Sequence, residues 1–187
     1  MSNKGCLRGR IALVTGSTSG IGLAIAERLA EDGAKVIVSS RIQENVDCAV
    51  KKLTCKGYDV CGIACHIADP EHRKRVIELV EKMGGLDIFV QCAGVNPFIG
   101  PILDIPEEKW DKTIGVNLKA TWQLTCDLAR FLKKSKNGRI IYNSSMSAYM
   151  PVWVIHNILN ILLSPIFKIF HLTLSSYLVF QQNKFLF

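Results

Sequence analysis

The sequence predicts a doubly wound α/β fold, with a parallel sheet of strand order 3-2-1-4-5 that is incomplete on its C-terminal side. Three observations support this prediction. Short apolar runs alternate with amphipathic stretches between residues 11 and 143, and strands separated by helices of this length form parallel sheets. A glycine-rich turn follows the first apolar run, and the composition changes after residue 150. We therefore expect a folded domain over residues 1–150 and a divergent apolar tail over residues 151–187.

Five short stretches combine apolar side chains with flanking turn residues, and each of them is a predicted strand. In chain order they cover residues 11–14, 35–39, 59–65, 86–90 and 138–143.

Helices are predicted between these strands. The first follows the glycine-rich turn and carries an apolar stripe of Ile21, Ile25 and Leu29, spaced four residues apart. The second covers residues 43–56, and the third runs from Pro70 to about Met83 behind the capping residue Asp69. Residues 107–134 predict one long helix or two helices in series.

The turn after the first strand predicts a phosphate-binding loop. It consists of Gly16, Ser17, Thr18, Ser19, Gly20, Ile21 and Gly22. A pyrophosphate can contact N–H groups at a helix N-terminus only where no Cβ intervenes. Gly16 would make the turn, Gly20 would let the phosphates approach, and Gly22 would let the helix lie close to the strand. The serine and threonine hydroxyls add donors, and the alternative is an ordinary tight strand-to-helix turn.

The end of the second strand indicates which dinucleotide is bound. An acid at this point would accept hydrogen bonds from the ribose of NAD, whereas an arginine favours the 2′-phosphate of NADP. The sequence has Ser40 and Arg41 here and no acid. We therefore predict NADP(H) as the cofactor. The alternative is that Arg41 is only a solvated loop residue.

The Thr-Gly-x3-Gly-x-Gly pattern over residues 15–22 resembles the short-chain dehydrogenase/reductase family. Ala93 and Gly94 match its Ala-Gly pair, which implies a floor beneath the adenosine half of the cofactor. Asn117 matches the asparagine that holds a water in the family's proton relay, and Ser145 matches the serine that hydrogen-bonds the substrate carbonyl. The resemblance implies a Rossmann domain over residues 1–150 in an oxidoreductase that reduces ketones, dicarbonyls or retinoids with NADPH.

The proton donor of that family is missing from this sequence. The resemblance implies a tyrosine thirteen residues after Ser145 and a lysine four residues later, but these positions hold Ile158 and Leu162. No Tyr-x3-Lys pattern occurs anywhere in the 187 residues. Tyr142, at the end of a strand, is interpreted as a packing residue. The alternative function is therefore an inactive, truncated form that serves at most as a cofactor-binding or interaction module.

The tail, residues 151–187, contains no acid and only two lysines, Lys168 and Lys184. We interpret the chain as truncated or alternatively terminated within the family domain. A membrane anchor is a rival interpretation, but the apolar stretch from Val152 to Phe167 is short for a span. A third interpretation is a helix that covers the bare edge of the sheet. Such an edge could also pair with a second copy or with a full-length relative.

Charge and cysteine content exclude other classes of function. Residues 1–127 contain all 16 acidic residues and 16 of the 23 basic residues, so this part of the chain is neutral. The seven basic residues after Asp127 supply the net charge of +7. No basic stripe interleaved with aromatics is present, which argues against nucleic-acid binding. The seven cysteines have irregular spacing, so we expect reduced, partly buried thiols and no metal site, although Cys65 next to His66 is a weak alternative.

The first ten residues are polar and basic and contain no apolar run, so no secretory signal is predicted. We expect an intracellular, by default cytoplasmic, protein. The resemblance alone implies mitochondria or peroxisomes, and the C-terminal Phe185-Leu186-Phe187 is no peroxisomal tripeptide.

Overall fold

Five parallel strands form one sheet in the order β3-β2-β1-β4-β5, as predicted. The computed structural model describes residues 5–144. The strands are β1 (Ile11–Thr15), β2 (Lys35–Ser40), β3 (Val60–Ala64), β4 (Ile88–Gln91) and β5 (Arg139–Tyr142). Each of the four neighbouring pairs is parallel, so all carboxyl ends of the strands meet at one edge.

Helices connect the strands and cover both faces of the sheet. They are α1 (Gly20–Glu31), α2 (Gln43–Thr54), α3 (Pro70–Lys82), α4 (Glu107–Thr113) and α5 (Thr121–Lys134). A 3-10 turn, Ile102–Asp104, precedes α4. The predicted cap of α3 is confirmed, because the Asp69 carboxylate accepts the N–H groups of Glu71 and His72.

The core consists of two apolar clusters, one on each face of the sheet. On one face, Leu13 and Phe89 of the strands pack with buried residues of α3 and α5 such as Val76 and Leu124. On the other face, the β1 residues that flank Leu13 pack with buried residues of α1 and α2 such as Ala26. Successive residues of β1 therefore serve opposite clusters, which is the period of a strand buried on both faces.

Helix α1 presents small residues to the sheet rather than its predicted isoleucine and leucine stripe. Its buried residues are Gly22, Ala26 and Ala30, whereas Ile21 is 48% exposed. Ile25 and Leu29 are only partly buried, at the margin of the cluster. Small side chains at four-residue spacing let the helix lie close to the strands, and the larger ones then flank the contact.

Residues 107–134 form one continuous helical segment whose middle turn is widened. Between α4 and α5, the seven residues Ile114–Ala120 adopt π-helical geometry. The prediction of one helix or two in series is thus met by a single run with an internal change of pitch. Such π-helical turns occur frequently at functional sites, and Asn117 lies in this one.

Asp87 joins three parts of the fold at the edge of the sheet opposite the glycine-rich turn. Its carboxylate accepts hydrogen bonds from Arg10 Nη1 (3.1 Å), the Ile11 N–H (2.9 Å) and Ser135 Oγ (2.6 Å). Burial alone would raise the pKa of Asp87, but the hydrogen bonds from Ser135, Ile11 and Arg10 outweigh it and lower the pKa below its usual value.

We expect the Asp87→Asn variant to lose about 2 kcal/mol of stability at neutral pH, the scale of hydrogen bonds to a charged group. Because folding lowers the pKa of Asp87, its stabilisation is present above the unfolded pKa of about 3.9 and is lost as the pH falls through the folded value. The variant should therefore show a flatter pH dependence of unfolding below about pH 4. Urea unfolding monitored by circular dichroism measures both effects. Asp59→Asn, at an exposed carboxylate, is the control; equal changes in both variants would contradict the prediction.

Several predictions concern residues beyond the described part of the chain. Ser145, the tail over residues 151–187, its membrane-anchor and edge-covering interpretations and the incomplete edge beyond β5 all lie outside residues 5–144. Within residues 5–144, no helix is both long enough and apolar enough to cross a membrane.

Candidate functional site

A groove opens at the edge of the sheet where the strands end. Its lining comes from the glycine-rich turn, the ends of β2, β3 and β4, and the π-helical turn. The lining residues are Thr15, Gly16, Thr18, Ser19, Ser40, Arg41, Cys65, His66, Ile67, Cys92, Ala93, Gly94, Val95 and Val116. In doubly wound sheets, ligands bind in the crevice outside the carboxyl ends of the strands.

The glycine-rich turn has a backbone that side chains would obstruct. Gly16 and Gly20 have φ angles of +62° and +54°, a region that favours glycine. A Cβ on Gly16 would lie 2.9 Å from the backbone of Ala93, whereas a Cβ on Gly20 would meet no other described residue within 4 Å. A Cβ on Gly22 would lie 2.2 Å from the Gly16 carbonyl oxygen. Gly22 thus lets α1 pack closely against the turn at Gly16.

The first turn of α1 is left without a side-chain cap. Ser19 precedes the helix in an extended conformation, and its hydroxyl makes no capping hydrogen bond. By contrast, Asp69 caps the first turn of α3 with its carboxylate. Uncapped N–H groups and the positive end of the helix dipole suit an anion. This end of α1 therefore fits a pyrophosphate.

Ser17 holds the turn in place instead of facing the groove. It is fully buried, and its hydroxyl donates to the Val14 carbonyl (2.6 Å) and accepts the Ser39 N–H (2.9 Å). Its own N–H donates to the Ser39 carbonyl (3.1 Å). The Ser17 hydroxyl is therefore not one of the ligand donors that the sequence predicts. Thr18 and Ser19, which line the groove, remain as hydroxyl donors.

Thr15 and Gln91 connect β1, β4 and α5 beneath the groove. The Thr15 hydroxyl donates to Gln91 Oε1 (2.6 Å) and accepts the N–H groups of Cys92 and Ala93 (both 3.2 Å). Gln91 Nε2 donates in turn to the Ala93 carbonyl (2.9 Å) and to Thr121 Oγ1 (3.0 Å). This network fixes the backbone at Ala93 and so shapes the floor of the groove.

Asn117 fastens the chain after β4 to the π-helical turn. Its side-chain oxygen accepts the Val95 N–H and its amide donates to the Val95 carbonyl, both at 2.8 Å. Two parallel hydrogen bonds fix the orientation of both partners. The side chain is thus used in positioning the loop after β4.

The second strand ends in a basic side chain at the groove. Arg41 is exposed and Ser40 is partly buried, and both line the groove. The Ser40 carbonyl accepts the Cys65 N–H (2.7 Å), which joins the loops after β2 and β3. A guanidinium fits a phosphate monoester at this end.

The thiols and the phenol near the groove are not poised for proton transfer. Burial raises the pKa values of Cys65 and Cys92 to about 11 each, so both thiols stay protonated at neutral pH. Burial also raises the pKa of Tyr142, whose hydroxyl lies 2.9 Å from Thr125 Oγ1. Tyr142 is therefore held within the packed structure, which agrees with its interpretation as a packing residue.

All seven cysteines lie within residues 5–144, and all are free thiols. Four of them, Cys6, Cys48, Cys55 and Cys126, are exposed, which is more than the sequence suggests. In the same part of the chain, no three His, Cys, Asp or Glu side chains are grouped closely enough to hold a metal ion.

Seven of the predicted site residues meet in the groove: Gly16, Thr18, Ser19, Ser40, Arg41, Ala93 and Gly94. Five other predicted residues do not line the groove. Four of them lie next to lining residues along the chain: Ser17, Gly20, Ile21 and Gly22. The fifth, Asn117, lies against the loop after β4. Cys65, Ile67, Cys92, Val95 and Val116 also line the groove and were not predicted to bind the cofactor. By the resemblance, His66 stands where the family usually has an acid that contacts adenine, and it lines the groove. The signal that could have identified Ile67 is its position just after a predicted strand, where parallel strands place their ligands.

The fold and the groove define a dinucleotide-binding α/β protein, and solved structures support this class. The chain aligns with L-sorbose reductase from Gluconobacter frateurii complexed with NADPH and L-sorbose (TM-score 0.84, 32% identity, 92% of this chain and 66% of that chain). It also aligns with an actinorhodin polyketide ketoreductase variant with NADPH (TM-score 0.83, 27% identity, 91% of this chain and 67% of that chain).

The family model for short chain dehydrogenases matches residues 10–157, and the chain belongs to this family. Dehydrogenase/reductase SDR family member 4 of Bos taurus is 47% identical over 152 residues, which are 81% of this chain and 54% of that protein. Human dehydrogenase/reductase SDR family member 2, mitochondrial, is 46% identical over 153 residues, with the same coverage. The chain thus spans about half the length of these relatives, and the family indicates a nicotinamide cofactor.

Proposed function

We propose that this chain binds NADP(H) in the groove and serves as an oxidoreductase that reduces small carbonyl compounds. The observation that carries the cofactor assignment is the combination of the uncapped α1 N-terminus with Arg41 on one groove. The first feature suits a pyrophosphate, and the second suits the 2′-phosphate that distinguishes NADP from NAD. The two related solved structures that contain NADPH are consistent with this assignment.

Each part of the groove has a role in this proposal. The N–H groups around Gly20 and Ile21 would bind the pyrophosphate, with Thr18 and Ser19 as hydroxyl donors. Arg41 and Ser40 would bind the 2′-phosphate. Ala93 and Gly94 would lie beneath the adenosine half, which requires a small side chain or none at this point.

Carbonyl reduction needs a hydride at the carbonyl carbon and a proton at the carbonyl oxygen. The bound cofactor would supply the hydride and the protein would contribute orientation, while the proton would have to come from water. Ser145 would hold the carbonyl oxygen, and Asn117 keeps the π-helical turn in register with Val95. The proton source is the weak point, because the sequence has no Tyr-x3-Lys pattern. Loss of a positioned acid–base group typically costs on the order of 10²–10⁴-fold in rate.

The missing pattern supports a second candidate function, a cofactor-binding module without turnover. Such a module would act alone or by pairing with a second copy or a full-length relative. Both candidates require NADP(H) binding and differ only in catalysis. We also propose an intracellular location for this chain. The human relative is named as a mitochondrial protein, and this name alone does not assign a compartment to the chain.

A binding titration combined with a turnover assay tests both candidates. We expect the purified chain to bind NADPH at least about tenfold more tightly than NADH, because a charge-assisted phosphate contact exceeds 1.4 kcal/mol. The quenching of protein fluorescence measures both affinities. Equal affinities would contradict the NADP(H) assignment.

NADPH oxidation with a panel of ketones and dicarbonyls then separates the two candidates. We expect slow turnover that disappears in Ser145→Ala, because that serine would hold the carbonyl. A folded preparation that binds NADPH but never oxidises it would support the module without catalysis.

A further inference from the structure

The loop that follows β3 forms one wall of the groove, and a histidine on α3 holds this wall in place. Cys65, His66 and Ile67 of the loop line the groove. The N–H of His66 donates to Nδ1 of His72, which belongs to the first turn of α3, at 3.0 Å. His72 does not line the groove itself. A histidine outside the groove thus fixes the backbone of its wall.

The hydrogen bond between these two residues exists only while the His72 ring is neutral. A backbone N–H can only donate, so Nδ1 of His72 must supply a lone pair, and the neutral ring then carries its proton on Nε2. A second proton would bind at Nδ1 and would place two donors against each other. The charged ring therefore cannot accept the His66 N–H and must turn away from it. Histidine is the side chain that changes charge between about pH 5 and 8.

A carboxylate beside the ring offers the charged form another partner. Oδ2 of Asp69 lies 3.8 Å from Nε2 of His72, which is too long for a hydrogen bond but short enough for an ion pair. The N–H groups of His72 and Glu71 donate to Asp69 and lower the pKa of its carboxyl group, so Asp69 is ionised wherever histidine titrates. His72 therefore has two alternative partners, the His66 N–H when it is neutral and Asp69 when it is charged.

His66 is a second titratable group in the same loop. Its Nδ1 accepts the Ala68 N–H at 3.2 Å, so its neutral form also carries the proton on Nε2. Protonation of His66 would release the Ala68 N–H, whereas protonation of His72 would release the His66 N–H. The two events are therefore distinguishable by which amide loses its acceptor.

Three guanidinium groups lie near the loop, and each of them keeps its charge while a histidine titrates. They belong to Arg41 at the groove, Arg73, which donates to the Ile67 carbonyl at 2.9 Å, and Arg75, which acts on Asp69. These charges oppose a further positive charge on either histidine, whereas Asp69 favours it. Because the contact of Arg73 with the loop does not depend on a histidine, protonation frees one part of the wall without releasing all of it.

We propose that His72 is a pH-sensitive switch for the wall of the groove, which it holds when its ring is neutral and releases when the charged ring turns to Asp69. The effect of this switch on ligand affinity rests on the proposed binding of NADP(H). At neutral and alkaline pH the His66 N–H has its acceptor, and the wall is fixed. As the pH falls through the range in which histidine gains a proton, that acceptor is lost. Affinity for the ligand should therefore decrease toward acid pH.

Amide hydrogen exchange followed by NMR tests the switch without a ligand. The measured quantity is the protection factor of the His66 N–H, which corrects the exchange rate for its intrinsic pH dependence. We expect this factor to fall by about fivefold or more between about pH 7.5 and pH 5.5 in the wild type. The protection factor of the Ala68 N–H reports on His66 separately.

Two variants change the switch and keep the hydrogen bonds of the loop and the helix. In His72→Asn, the side-chain oxygen takes the place of Nδ1 and accepts a hydrogen bond at any pH, so protection of the His66 N–H should change by less than about twofold. Asp69→Asn retains a side chain that caps α3 but removes the partner of the charged ring. It should shift the loss of protection to lower pH.

Fluorescence titration with NADP⁺ at the same two pH values tests the effect on the groove. The 2′-phosphate of the ligand titrates as well, but it does so equally with every variant. Between about pH 7.5 and pH 5.5, we expect the Kd of the wild type to rise by about threefold more than that of His72→Asn. At the higher pH, the two proteins should bind NADP⁺ within about twofold of each other.

Equal protection of the His66 N–H at both pH values in the wild type would overturn the switch, whether or not the variants fold. So would an equal loss of protection in the wild type and His72→Asn. If exchange shows the switch but the affinity for NADP⁺ has the same pH dependence in both proteins, its effect on the groove is overturned. Failure of the folded wild type to bind NADP⁺ at either pH would overturn the proposed function, while the exchange measurement would still decide the switch.

Discussion

Gly22→Ala is expected to abolish tight NADPH binding and to destabilise the folded chain. A Cβ at this position would lie 2.2 Å from the Gly16 carbonyl oxygen, which is backbone and cannot rotate away. The turn cannot retreat either, because Gly16 lies so close to the Ala93 backbone that a side chain would not fit between them. We expect a loss of about 3 kcal/mol, the upper end of the usual cost of overpacking. NADPH affinity should fall by about 100-fold or more, since the phosphate-facing N–H groups would move by roughly 1 Å.

Urea unfolding and an NADPH titration measure the two effects of Gly22→Ala. Gly115→Ala is the matched control, because within residues 5–144 a Cβ on this helical glycine meets no atom within 4 Å outside its own helical backbone. The control should leave NADPH binding unchanged and should be as stable as the wild type or up to about 1 kcal/mol more stable. Wild-type stability and affinity in Gly22→Ala would show that the turn tolerates a side chain there.

Arg41→Ala should weaken NADPH binding by about 30–150-fold, which corresponds to the loss of about 2–3 kcal/mol from a charge-assisted contact. NADH lacks the 2′-phosphate, so its affinity should change by less than about threefold. Because Arg41 is exposed, salt should screen the contact, and the difference between the two cofactors should shrink as ionic strength rises. Titrations of both cofactors at two salt concentrations test the prediction.

Lys52→Ala is the control for the loss of positive charge. Lys52 is exposed on α2 and does not line the groove. Its removal changes the net charge by the same amount but should leave both affinities within about twofold. An equal loss of NADPH and NADH affinity in Arg41→Ala would contradict a role in binding the 2′-phosphate.

Much of the fold follows from local sequence pattern. The strands and helices fall close to their predicted positions because apolar periodicity and caps such as Asp69 are local signals. The orientation of α1 was harder to predict, because close packing selected the small residues Ala26 and Ala30 over the larger Ile21. The spacing of apolar residues in a sequence favours the large ones as the buried face of a helix. The space between the helix and the sheet depends on the tertiary structure, which the spacing does not show.

Parts of the candidate site could be predicted where the function depends on a property of the residue type itself. The glycines and Arg41 belong to this class, because steric freedom and charge are intrinsic to the residue. The partners of Thr15, Ser17 and Asn117 were not predictable, since each forms hydrogen bonds across at least 20 residues of sequence. A hydroxyl or amide in the sequence does not show whether it will serve a ligand or the scaffold.

The bonding of Ser17 to Ser39 affects the thermodynamics of ligand binding. Because both the hydroxyl and the N–H of Ser17 are engaged with β2 or β1, the turn loses its conformational freedom when the sheet folds. A loop ordered only on binding would subtract that entropic cost from the affinity. Here the cost belongs to folding, so the turn is preorganised. A change that loosened Ser17 would therefore weaken ligand binding through the conformation of the turn.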